Sequence, residues 1–169
     1  MANTIVDNGN GVTVSAHLDS NISVSSLPQE TLDFAAKVFN LARNGGDELL
    51  SLYLNAGLPP NLTNEKGNTL LMLAAYNGHA STIRLLHSKG ADPNRLNDRG
   101  QSPLAGAIFK NEETVVRLLV EIAADPRIGT PNAIDTAKVF RKTEWLDLLG
   151  ATEEERSAPT PGVFGLGPG

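Results

Sequence analysis

A segment of thirty-three residues is spelled twice in succession in this chain. Asn64-Glu65-Lys66-Gly67-Asn68-Thr69-Leu70-Leu71 returns as Asn97-Asp98-Arg99-Gly100-Gln101-Ser102-Pro103-Leu104. Arg84-Leu85-Leu86 returns as Arg117-Leu118-Leu119, and Ala91-Asp92-Pro93 as Ala124-Asp125-Pro126. A fixed period of this length constrains the fold more than composition does. Units of this size cannot hide their apolar faces alone and must stack on one another.

Each copy runs in the same order: a turn with glycine, a Thr or Ser helix start, an alanine-rich helix, a break, a Leu-Leu helix, and an Ala-Asp turn. This order resembles the ankyrin repeat. The copy at 64–96 matches it in Gly67, Thr69, Leu71, Ala74, Ala75, Gly78, His79, Leu85, Leu86, Gly90, Ala91, Asp92 and Asn94. The resemblance extends over residues 32–150 and divides them into repeats at about 32–63, 64–96, 97–129 and 130–150, the outer two degenerate as caps. It implies an all-α solenoid of stacked helix-turn-helix units. In the third repeat Asn111 replaces the glycine after the first helix, and asparagine tolerates the left-handed conformation there. Ala123 replaces the counterpart of Gly90, which leaves the shape of that turn open. Gly67 and Gly100 are expected at positive φ in the inter-repeat turns.

The repeats are expected to sit in a domain at 26–150. Residues 1–25, rich in Asn, Ser, Gly and Asp without a sustained period, read as a disordered tail. Ser26 and Gln29 have capping-box spacing, with Pro28 in the first turn. Leu32, Ala35, Ala36, Phe39 and Ala42 then follow a helical period. Gly45-Gly46 ends that helix, and Asp47 is expected to cap a second one carrying Leu49, Leu50, Leu52 and Tyr53 inward. Residues 151–169, from Glu153-Glu154-Glu155 into Pro and Gly, read as a flexible, solvated tail.

Composition excludes several kinds of chemistry. The chain of 169 residues has no Cys and three His, which gives neither a thiolate nucleophile nor metal-ligand spacing. A formal charge of −5 without a basic stripe disfavours nucleic acid. No apolar run approaches the roughly 18 residues of a membrane span, and the first residues do not read as a signal peptide. Asp92 and Asp125 fit Asx turns better than a catalytic pair, and His79 fits a structural role. Asn94 reads as a turn residue, although it also looks like an asparagine that oxygenases hydroxylate in some ankyrin proteins. The sequons at Asn21 and Asn61 read as chance matches. The expectation is a non-enzymatic, probable-free assignment by elimination: no cofactor, no metal, no membrane and no nucleic acid, in a monomer located in the cytoplasm, with the nucleus as a second compartment.

The resemblance implies a protein partner, of unknown identity, held on the concave side by turn tips and the exposed face of the first helices. Carried over position by position, this gives Arg43, Lys66, Asn68, Tyr76, Asn77, Arg99, Gln101, Phe109, Lys110, Val139 and Phe140. Tyr76 and Phe109 share one repeat position and should be stacked neighbours, with Val139 at the matching place in the last unit. An aromatic–aliphatic column beside cations has the composition of interface hot spots. The competing reading folds these rings down as filler between helices. The implied role is adaptor, scaffold, assembly chaperone or inhibitor. The alternative is a regulatory subunit whose acidic tails bind while the repeats serve as a platform.

Overall fold

The computed structural model describes residues 28–160. Among them the chain forms α1 (Gln29–Asn44), α2 (Asp47–Asn55), α3 (Leu70–Tyr76), α4 (Ala80–Ser88), α5 (Pro103–Lys110), α6 (Glu113–Glu121), α7 (Ala133–Val139), α8 (Thr143–Leu148) and α9 (Glu153–Ser157). Each repeat is a packed pair: α1 with α2, α3 with α4, α5 with α6, α7 with α8. The first helices of successive pairs form one layer, α1–α3–α5–α7, and α2–α4–α6 form the second. This is the all-α stack that the period implies.

The same local chemistry shapes successive units. Thr69, Ser102 and Asn132 stand at the starts of α3, α5 and α7, and their side chains accept from the amides of Met72, Ala105 and Asp135. Each thereby satisfies a donor that has no partner within the helix. The residue nine places after each cap turns the chain back in the left-handed conformation: Gly78 at φ 78°, Asn111 at φ 61° and Arg141 at φ 55°. After the second helices the equivalent residues are Gly57, Gly90, Ala123 and Gly150, all at positive φ. Ala123 therefore keeps the turn of Gly90, at φ 61°, despite its side chain. Gly67 and Gly100 both adopt φ 71°, as expected.

The core lies between the layers and is built from small and branched side chains. Leu71, Ala74 and Ala75 of α3 and Leu104, Ala107 and Ile108 of α5 are buried, as are Ile83 and Leu86 of α4 and Val115, Val116, Leu118 and Leu119 of α6. Each such leucine contributes about 1.5–3 kcal/mol by leaving water. Alanines let the first helices approach one another.

Three expectations at the first repeat need correction. Pro28 is the cap of α1 rather than part of its first turn, and it brings no side-chain bond. Ser26 lies outside the described residues. Asp47 is the first residue of α2, capped by Gly46, and its carboxylate accepts from the Thr82 hydroxyl at 2.5 Å, tying α2 to α4. On α2 the inward side chains are Leu50 and Leu54, whereas Leu52 is 64% exposed. The run from Leu50 to Leu54 advances one full turn, which carries Leu52 to the opposite side.

The expected tail after Gly150 also begins differently. Thr152 and Glu155 form a capping box that starts α9. Arg127 grips Glu155 through two bonds of 2.8 and 3.0 Å, Arg156 reaches Asp147 at 2.6 Å, and the Lys138 ammonium donates to the carbonyls of Glu155 and Ala158. Residues 151–158 are thus bound to the last repeat. Among the described residues no helix is long and apolar enough to cross a membrane, and no group of acids and histidines is placed to hold a metal.

Candidate functional site

The turn tips are held by asparagines that the repeat places at fixed positions. The Asn64 side-chain oxygen accepts from the amides of Lys66 and Asn68, both at 3.0 Å. Asn97 repeats this with Arg99 and Gln101, again at 3.0 Å. The Asn97 amide also donates to Asn68 at 2.9 Å and to Gln101 at 3.0 Å, and the backbone of Asp98 donates to the Lys66 carbonyl. Successive turns are joined into one ladder. The side chains of Lys66 and Arg99 stand exposed at its edge.

The rings line up along the first helices. Tyr76 at the end of α3 and Phe109 on α5 have centroids 6.5 Å apart, and Phe109 meets Phe140 edge-to-face at 5.3 Å. Phe109 is 44% exposed and Phe140 38%. Tyr76 is half-buried because Gly106 of α5 leaves room for its ring: a Cβ there would lie 2.5 Å from the Tyr76 Cε2. The column therefore has a seated ring and two open ones, all on one flank. Its third member is Phe140, one residue past the repeat-matched Val139, which is half-buried. The helix ends one residue earlier at α7, where Phe140 is the C-cap residue and Arg141 turns left-handed.

Charge adds to this surface. Burial raises the Tyr76 phenol above its ordinary value of 10.0, and the Arg99 charge opposes the rise. Arg99 thus acts on the ring column from the turn above it. Lys110 follows Phe109, and Arg141 follows Phe140; both are exposed. Arg141 is absent from the sequence-derived set. Its signal was available, since it occupies the left-handed position of Gly78 and Asn111.

Other expected site residues are engaged in the scaffold. Asn77 donates to the Leu73 carbonyl at 2.7 Å and closes the end of α3. Asn68 and Gln101 belong to the turn ladder. The Arg43 guanidinium donates to Asn40 at 2.9 Å, and the Arg43 carbonyl accepts from His79 Nε2 at 2.8 Å. A carbonyl can only accept, so that nitrogen carries the proton, and His79 is a link between the first and second repeats. Asp92 and Asp125 accept from the amides of Asn94 and Arg127, both at 2.8 Å, in Asx turns. Asn94 accepts from the Asp125 amide at 2.7 Å, which places it in the inter-repeat turn.

Stacked helix pairs with capped, asparagine-pinned turns define the class of the molecule as a helical repeat solenoid. The model of the ankyrin repeats, in three copies, matches residues 38–130, and the chain belongs to that family. It is also similar to an ankyrin repeat protein of Pseudomonas aeruginosa, 54% identical over 56 residues, which is 33% of this chain and 33% of the relative. The chain thus spans about a third of the length of the curated relative it matches. Ankyrin repeats are in general protein–protein interaction modules, a non-enzymatic fold.

Proposed function

We propose that this chain is an interaction module that holds a protein partner on the face made by the turn tips and first helices. It acts there as adaptor, scaffold, assembly chaperone or inhibitor. The observation that supports this reading is the continuous column of Tyr76, Phe109 and Phe140, two of whose rings remain open to solvent beside Arg99 and Lys110. Exposed aromatics beside arginine are the residues that carry most binding energy in protein interfaces. No catalytic role is assigned to any residue. We place the module in the cytoplasm.

The alternative, binding through acidic tails, has less support at the C-terminal end. Glu155 is already held by Arg127, and the rest of the acidic run is wound into α9. The test is a pull-down with the purified chain from cells of the source, alongside a Tyr76→Ser/Phe109→Ser variant whose helicity is verified by circular dichroism. A partner captured by the parent and lost by the folded variant is the expected result. A partner retained by both would overturn the reading.

A further inference from the structure

Paired and unpaired cations divide by face in this molecule. On the outer helices Arg84 bonds to Glu121 at 3.4 Å and Arg117 to Glu113 at 2.8 Å. At the C-terminal end Arg127 and Arg156 are held by Glu155 and Asp147. By contrast, Lys66, Arg99, Lys110 and Arg141 form no ion pair among the described residues. These four border the ring column. The carboxylates nearest in sequence do not neutralise them. Asp98 is folded back against Gly67, and Glu112 against Gly78 at the end of α3. A chain of net charge −5 thus keeps free positive charge on the flank where its open rings lie.

We infer that the segment seated on this face is acidic: an extended stretch of the partner that sets apolar side chains against Phe109 and Phe140 and turns carboxylates toward Lys66, Arg99 and Lys110. The inference rests on the reading of this face as the binding surface and adds the chemistry of what binds. Charge complementarity carries it. Opposite potentials steer encounter and fix register, while a basic segment would meet like charge at each of these positions. The acidic outer helices work against a long polyanion such as RNA, whose backbone extends beyond the face, and leave a short acidic peptide favoured.

The test is to pan a displayed random-peptide library on the full chain, on Phe109→Ser and on Arg99→Glu/Lys110→Glu, each verified as helical. The parent should enrich peptides that combine Asp or Glu with apolar residues, and Phe109→Ser should not. The charge-reversed variant should bind the selected peptides at least about tenfold more weakly and enrich basic ones instead. Synthetic copies should lose affinity as salt rises, because exposed charges are screened. Neutral or basic peptides enriched by the parent and lost in Phe109→Ser would overturn the acidic class while leaving the face intact. Peptides enriched equally by Phe109→Ser would overturn the face itself. Failure to enrich any peptide, or tighter binding of a labelled oligouridine than of any selected peptide, would also overturn the proposal.

Discussion

In the middle of the stack Asn61 and Asn94 reach from one repeat to the next, their side-chain oxygens accepting from the amides of Asp92 and Asp125 at 2.7 Å. Asn61 also donates to the carbonyl of Gly90. At the C-terminal end Arg127 stands in the same repeat position, and its longer side chain donates to the carbonyl of Gly150 at 3.0 Å while gripping Glu155. The middle is stapled by short neutral side chains and glycine turns. The end is stapled by a charged side chain that also recruits α9. A repeat position can therefore keep its task while changing its residue, and the change determines how the end responds to pH and salt.

The comparison breaks most visibly in the core. Leu104→Ala, in the middle layer, should cost about 2–5 kcal/mol in urea denaturation, because a fully buried side chain leaves a cavity between two packed repeats. Asn97→Ala should cost about 1–3 kcal/mol, since the amides of Arg99 and Gln101 lose their acceptor in a partly buried turn.

A smaller and reciprocal effect sharpens it. Gly90→Ala should destabilise by about 1 kcal/mol, and Ala123→Gly should stabilise by about 1 kcal/mol, because both residues are left-handed and only glycine adopts that conformation freely. No atom lies within 4 Å of a Cβ built at Gly90, so that cost reports backbone strain alone. Equal and opposite shifts in the denaturation midpoint are expected.

Acid separates the two regions next. The Thr152 backbone amide, foremost, and Arg127 hold Glu155 below its ordinary value of 4.5. A depressed carboxylate stabilises the fold above its unfolded value, and that contribution is lost as pH falls through the lower folded value. On acidification below 4.5, amide exchange in Glu153–Ser157 should accelerate before exchange in α3 and α5 does. The smallest effect concerns Tyr76: Arg99→Ala should raise its phenol further, seen as a later rise of tyrosinate absorbance in alkaline titration.

The legible part of this molecule was the part that repeats. Period and motif placed the caps at Thr69 and Ser102, the left-handed glycines and the neighbouring rings, because each depends on chemistry within one unit or on the same position in the next. Phe140 rather than Val139 at the end of the column depends on where α7 stops, and a period of thirty-three residues does not contain that information. Docking of α9 was hidden for a related reason: Glu153-Glu154-Glu155 reads as solvated until Arg127 and Lys138 are known to face it. Asn68, Asn77 and Gln101 carried polar signals that fitted a partner as well as a turn, and only the bond lengths assign them to the scaffold.

Site-specific photo-cross-linking tests the central claim most directly. A benzophenone amino acid is placed at Phe109, on the ring column, or at Leu52, an equally open apolar position on α2. Irradiation in the source cells should yield a discrete protein adduct from position 109 and none from position 52. An adduct from position 52 alone, or the same adduct from both, would contradict binding through the face of the first helices.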